Sequence, residues 1–375
     1  MKTIKMTDEF VSKNKNLLDD KKEQTTYKIK YVSQYVENWL YVVTNIDQVK
    51  NINFIDCMCN AGVYSDGETG TSIKVLELFN EFAPQHPDKN FYLILNDINA
   101  DRIKIILDVI SNVVVASSNI HIVTNNADVN DFLLNDAFFN KYFNCYPNRS
   151  SNVVFVDPYN FCTVKISSLE HFLSKTYCEL IFNIFTNDFV RNQDKKKMQE
   201  FCKNENIPLC SKDEMVNLIT NRLKSGNIKY SFSYEFKIAT NTELYQIMFF
   251  TPNIRGLEKL KEALWNTFDG KEFHRNGLET DSSQLSFFTD DDEKDWRLQS
   301  YSAIAQEMIL QKYKGQTVDY LKIEEYVIEN TMLNGNHLIE NVLKPLISSE
   351  KITKLGLVKR SSNFKKDQYQ IGGLL

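Results

Sequence analysis

Four carboxylates follow four successive runs of β-branched and aromatic residues. Asp56 ends "NINFI", Asp97 ends "NFYLILN", Asp128 lies in "NNADVNDF" and Asp157 lies in "FVDPYNF". One such acid alone is a helix cap or a turn residue. Four in succession mark a site, because ligands of a doubly wound sheet bind at the carboxyl ends of its strands. An acid behind the second strand (Asp97) suits a ribose diol, and one behind the third (Asp128) suits an adenine amino group. The loop behind the first strand must let a ligand approach the backbone, which calls for small residues. The stretch "FIDCMCNAGVYSDGE", 54–68, places Cys57, Cys59, Asn60, Ala61 and Gly62 there. The chain has no GxxxxGK[ST] cradle and no GxGxxG fingerprint. The implied ligand is a nucleoside with little or no phosphate, and S-adenosylmethionine fits. The expected cofactor-binding residues are Asp56, Cys57, Asn60, Gly62, Asp97 and Asp128.

The fourth strand end carries the reaction chemistry. An exocyclic amine on a base is a poor nucleophile because its lone pair is conjugated into the ring. Two acceptors on its hydrogens, the Asp157 carboxylate and the Pro158 carbonyl, draw that pair out of conjugation, and Tyr159 offers a ring for the base to stack on. The amine would then attack a methyl sulfonium held in line, which is catalysis by position and electrostatics. The target base must be flipped out or unpaired. The competing reading of "DPYN" is a plain strand-to-helix turn.

The elements that hold these residues alternate. "NINFIDC", "NFYLILND", "NIHIVTNN", "SNVVFVDPYNF" and "CELIFNIF" read as strands. Between them "TSIKVLELFNEFA", "NADRIKIILDVISNVV", "VNDFLLNDAFFNKYF" and "SSLEHFLSKT" read as helices. Strands without internal alternation are covered on both faces, and strand–helix alternation predicts a parallel, doubly wound α/β sheet with right-handed crossovers. Ahead of it, "TYKIKYVSQYVENWLYVVTNI" sets Ile29, Val32, Tyr35, Val36, Trp39, Leu40 and Val43 on one helical face. Residues 1–25 are polar and expected to be partly ordered. Residues 186–228 form a helical insertion. "KYSFSYEFKIAT" and "ELYQIMFFTP" add two strands, and "GLEKLKEALWNTF" adds a helix.

The first domain is thus expected over 26–280. An acidic linker follows over 281–297, and a second domain over 298–375. That second domain reads as three helices, with Thr317 capping the second, and a two-stranded ribbon. This is the winged-helix plan, with its third helix available for a nucleic-acid groove. Within 341–375, seven positives (Lys344, Lys351, Lys354, Lys359, Arg360, Lys365, Lys366) face Glu350 and Asp367, a net +5 in a chain whose total is −5.

Composition narrows the rest. The 375 residues are 42% hydrophobic and 25% charged, as in ordinary globular proteins. A net −5 excludes a global nucleic-acid signature, so any basic surface is local. Seven cysteines (57, 59, 145, 162, 178, 202, 210) include no CxxC pair, and the five histidines (86, 121, 171, 274, 337) include no HxxxH. No metal is expected. With no secretory leader and no apolar run of membrane length, the expectation is free thiols in a reducing cytoplasm and no membrane. The loop "DFVRNQDKKKMQEF", with Arg191, reads as a solvated helix face or a track for a phosphate backbone.

In order along the chain, "FIDCMCNAGVYSDGETG", "FVDPYNF", "ELIFNIF" and "YQIMFFTPNIRGLEKLKEALW" resemble the three-Cys-motif partner (TcmP) family. The resemblance spans most of residues 26–372. It implies a Rossmann-like class I S-adenosylmethionine-dependent methyltransferase sheet of the type that acts on base amino groups, with a C-terminal winged-helix-like domain and a possible protein partner. Carried over, Asp56 and Gly62 match the cofactor loop, Asp97 and Asp128 the ribose and adenine positions, and Asp157, Pro158 and Tyr159 the target-amine motif. Cys57, Cys59, Asn60 and Ala61 stand where the family tends to have Gly, Ala, Gly and Pro. Asn60 is the sharpest departure, at a position that calls for positive φ, which Asn tolerates. The motif also has one proline where Asp/Asn-Pro-Pro-aromatic amino-methyltransferases have two, which leaves the stacking role open between Tyr159 and Phe161. Three functions follow: a nucleic-acid amino-methyltransferase with adenine N6 favoured, a catalytically degenerate partner subunit of the same fold, and, disfavoured by the missing phosphate loop, a nucleotide hydrolase.

Overall fold

The computed structural model describes residues 4–113, 115–143, 150–236, 245–271, 290–355 and 367–372. The chain divides into two compact units, Met1–Asn253 and Ile254–Leu375.

The first unit is built on a seven-stranded sheet. Its strands are β1 (Asn51–Asp56), β2 (Asn90–Asn96), β3 (Ile120–Asn125), β4 (Ser150–Val156), β5 (Glu179–Ile184), β6 (Tyr230–Phe236) and β7 (Tyr245–Thr251). The order is β3-β2-β1-β4-β5-β7-β6. β1 to β5 pair in parallel, while β7 runs antiparallel to β5 and to β6. This mixed α/β, mostly parallel sheet is the doubly wound arrangement that the alternation predicts, with an antiparallel pair added at one edge. The strand order reverses between β1 and β4, and the crevice at that switch point is where such sheets take ligands. Asp56 and Asp157 stand on its two sides.

The helices that precede β5 are α1 (Asp8–Asn14), α2 (Glu23–Val43), α3 (Thr71–Phe82), α4 (Ala100–Ser111), α5 (Val129–Leu133), α6 (Asp136–Phe143) and α7 (Ile166–Lys175). The single helix read over 129–143 is two, because the Asn135 carboxamide accepts the Phe138 N–H at 3.1 Å and restarts the turn. The insertion is helical, with α8 (Thr186–Arg191), α9 (Lys196–Asn204) and α10 (Lys212–Leu223). A Ser211–Glu214 capping box opens α10. In α9 the lysine run is solvated, with Lys196 paired to Glu200 and largely exposed. Residues 4–22, expected to be partly ordered, are folded. Thr7 caps α1, Met6 donates its N–H to Gly67 O at 2.8 Å, and Lys21 pairs with Glu68.

Every apolar residue read on the α2 face is buried. The same face also carries Gln24, Lys28, Tyr31 and Tyr35, at i, i+4, i+7 and i+11. These polar tips reach the sheet at fixed points, and Tyr35 meets Glu179 at the start of β5. The Glu179 carboxylate is buried, accepts from Tyr35 Oη and Thr251 Oγ1, and is pushed up to about 7, chiefly by burial. Because the folded pKa lies above the unfolded 4.5, the folded state binds the proton more tightly. This contribution is therefore fully present at low pH and is lost as pH rises through about 7. Glu179→Gln, which keeps both neighbours partnered, is expected to flatten the fall of Tm between these two pKa values. A Tm–pH profile as steep as the wild type's refutes this assignment.

The second unit contains the helix Ile254–Phe268, placed by sequence alternation at the end of the first domain. It packs on its own unit through Trp265 Nε1, which donates to Met332 O at 2.6 Å, and through the buried Lys261, which donates to the carbonyls of Ile328 and Thr331. The expected linker is helical over its described part, since the helix Asp290–Lys312 spans 290–297, while 281–289 lie outside the described residues. Thr317 does not cap a helix. It opens the short strand Thr317–Asp319, and Asp319 precedes the helix Tyr320–Asn330. A helical run follows through Gly335–His337, Leu338–Leu343 and Lys344–Ser348. The ribbon strands Ile352–Leu355 and Gln368–Ile371 pair antiparallel, and Gln368–Ile371 also pairs with Thr317–Asp319. Of the basic residues counted there, Lys344 pairs with Glu340 and Lys354 with Asp367, both at 2.6 Å. Lys359, Arg360, Lys365 and Lys366 lie outside the described residues, as do His274 and Cys145. No described helix is long and apolar enough to cross a membrane.

Candidate functional site

A cavity of about 560 Å³ opens at the carboxyl ends of β1, β4 and β5. Its wall carries Asp56, Cys59, Asn60, Gly62, Asp157, Pro158 and Tyr159 of the residues singled out from sequence. Cys57, Asp97 and Asp128 are not on that wall.

The loop after β1 turns sharply at Asn60 and Gly62. Asn60 has φ 55° and Gly62 φ 69°, both left-handed. The side chain of Asn60 holds its own strained turn, its Oδ1 accepting the Ala61 N–H at 2.7 Å while its Nδ2 donates to Asp19. A Cβ at Gly62 would stand 2.6 Å from Ile106 Cγ1, so helix α4 admits only glycine there. The Gly70 N–H closes the loop on Gly62 O at 2.9 Å and brings the N-terminus of α3 to the cavity.

Each acid has a distinct environment. The Asp56 carboxylate is buried and accepts from Ser72 Oγ and from the Met58 N–H at 3.2 Å. Burial pushes it up to about 7, against the pull of those two donors. Asp97 accepts the Asn60 N–H at 3.1 Å and the Asn99 N–H at 2.8 Å, so it braces the loop after β1 from behind. Asp128 caps α5, its Oδ1 accepting the Asn130 N–H at 2.9 Å. Cys57 is fully buried in the core cluster with Val154 and Phe182, and its N–H extends the β1–β4 ladder to Phe155 O at 3.0 Å. Its side chain packs in that core, away from the cavity wall. The described cysteines are all free, and among the described residues no group of three or more His, Cys, Asp or Glu could hold a metal.

At the fourth strand end, Asp157 Oδ2 accepts from Lys28 Nζ at 2.7 Å and Oδ1 accepts from Asn183 Nδ2 at 3.0 Å. Asn183 in turn accepts from the buried Tyr31 Oη at 2.6 Å. Tyr159 is half exposed at the rim, its hydroxyl bonded to Arg102, whose guanidinium carbon lies 5.7 Å from the ring centroid. Of the two rings left open for stacking, Phe161 is excluded. It is 5% exposed and locked against Phe189 at 4.9 Å and Phe201 at 5.7 Å.

Sequence reasoning missed Asp19, Lys28, Asn183 and Asp188. Asp19, on the cavity wall, reaches Asn60, Arg102 (3.0 Å) and Tyr159 (3.4 Å) and so ties the N-terminal segment to the site. Asp188, on the cavity wall, accepts the Phe161 N–H at 2.9 Å. Lys28 had a legible signal in the polar stripe of α2. Asp19, in a polar run without periodicity, had none.

No family model matches the chain, and no curated protein matches it. Several solved structures are similar in fold. A mutant 16S rRNA (adenine(1408)-N(1))-methyltransferase from Catenulisporales acidiphilia shares 8% identity at TM-score 0.28, over 57% of this chain and 91% of its own. A magnesium protoporphyrin IX methyltransferase from Synechocystis PCC 6803 with bound SAH shares 12% at TM-score 0.33, over 64% and 93%. Spermidine synthase from Thermotoga maritima shares 13% at TM-score 0.31, over 73% of each chain. At these scores none of the three decides what this chain does.

Proposed function

We propose that the chain is an S-adenosylmethionine-dependent methyltransferase that acts on an exocyclic amino group of a nucleic-acid base, adenine N6 favoured. The observation that carries this reading is the meeting, in one cavity at the switch point of the sheet, of the Asp56–Gly62 loop with the Asp157-Pro158-Tyr159 motif. The wall suits the cofactor. Asp56 and Asp188 favour a cationic group, while Lys22, Arg191 and the N-terminus of α3 favour a carboxylate. Its volume lies within the usual range for small-molecule sites. When bound, S-adenosylmethionine supplies a methyl group on a cationic sulfonium. The chain's residues do the rest. Asp97 and Asn60 shape the loop, Asp157 and the Pro158 carbonyl accept the hydrogens of the acceptor amine, and Tyr159 stacks at the rim. The C-terminal helices and ribbon, taken as a winged-helix-like domain, would hold the nucleic acid, and the free thiols suit a reducing cytoplasm.

Calorimetric titration with S-adenosylmethionine tests this. The wild type is expected to bind, and Asp97→Ala to bind ~10–100-fold more weakly, as loss of charge-assisted hydrogen bonds would cause. A wild type that does not bind refutes the enzyme reading.

One observation favours a second reading, the catalytically degenerate partner subunit that binds nucleic acid or another protein. Both oxygens of Asp157 already have donors. Binding of S-adenosylmethionine without methyl transfer to any DNA or RNA would establish that reading instead.

A further inference from the structure

We infer that Lys28 occupies the acceptor-amine subsite: its ammonium holds, on the Asp157 carboxylate, the place that the acceptor's amino group takes. This rests on the methyltransferase reading and says what its acceptor must do to enter.

The two donors on Asp157 are unlike. Asn183 belongs to β5, is wholly buried and is held from behind by Tyr31, so Oδ1 has a fixed partner. Lys28 reaches Oδ2 from α2 on a flexible four-carbon stem. Lys28 and Asp157 both line the cavity, with side chains 12% and 22% exposed. An ammonium and an exocyclic amine present the same thing to a carboxylate, a nitrogen with N–H donors. An amine polarised by Asp157 therefore bonds Oδ2 where Nζ now sits, and Lys28 must swing aside while Asn183 stays. The resting site is thus closed to small amines. An acceptor opens it only if contacts elsewhere offset the lost ion pair, which selects a base carried on a polynucleotide over the free nucleoside.

The test uses the full chain with S-adenosylhomocysteine and fluorescent single-stranded oligonucleotides that carry one adenine, or hypoxanthine in its place, read by anisotropy. Removing a cation ordinarily weakens nucleic-acid binding. Here Lys28→Met is expected to bind the adenine strand about tenfold more tightly than wild type, with no gain on the hypoxanthine strand, which lacks the amino group. Lys28→Arg, whose planar fork can grip the carboxylate with two bonds, is expected to weaken adenine binding about fivefold and serves if Lys28→Met does not fold. Equal or weaker binding of Lys28→Met on both strands, or wild-type affinity in Lys28→Arg, overturns the assignment of Lys28. Failure of the wild type to bind S-adenosylhomocysteine by calorimetry instead removes the methyltransferase reading, and this inference with it.

Discussion

Asp157→Ala is expected to lower methyl transfer by ~10²–10³-fold, the usual cost of removing one preorganised electrostatic group at a reacting centre. Affinity for S-adenosylmethionine should change little, because the loop that shapes the cofactor side runs from Asp56 to Gly62. Alanine also leaves the Lys28 ammonium facing the cavity without its carboxylate, which costs stability. Asp157→Asn is the control for that. It keeps the shape and one acceptor oxygen, so it should fold as the wild type does and still lose most activity. Transfer of a labelled methyl group to single-stranded DNA and RNA, beside a Tm for each variant, separates the two effects. Wild-type transfer rates in both variants would remove Asp157 from the chemistry.

The second large effect is expected at Asn60. A β-branched residue pays heavily for the left-handed backbone, about 1–2 kcal/mol. Asn60→Val also deletes the carboxamide that bonds the Ala61 N–H and Asp19. Together these should weaken cofactor binding at least ~30-fold, by distorting the turn that Asp97 braces through the Asn60 N–H. Asn60→Gly relieves the strain and loses only the carboxamide bonds, so it should stay within a few fold of wild type. If valine and glycine behave alike in the same titration, the turn is not what shapes the site.

Much of this architecture was legible in the chain. Five strand-like runs without internal alternation, with helices between them, predicted a parallel doubly wound sheet, because strands covered on both faces lose their alternation. Asp56 and Asp157 could be placed at strand ends for the same reason, and the positive φ at Asn60, expected from the resemblance, is one that asparagine tolerates. The free cysteines were legible by spacing, although the burial of Cys57 in the core was not, since a small residue after a strand can face either side. The break between α5 and α6 and the strand at Thr317 depended on single side-chain and cross-strand bonds that no periodicity reports.

What the sequence determined by itself was local: period, strand ends and the residue types able to do chemistry. Which acids share a cavity was set by packing. Asp97 and Asp128 stand at strand ends as surely as Asp56 and Asp157, yet they spend their carboxylates on the Asn60 N–H and on the cap of α5. Lys28 and Asp19 come to the site from a segment that precedes the whole sheet, across more than a hundred residues from Asp157 in the case of Lys28. A contact between residues so far apart along the chain exists only once the sheet has twisted and α2 has laid its polar stripe across β4 and β5. Hydrophobic burial drives that docking, and it is blind to which polar tips it carries along.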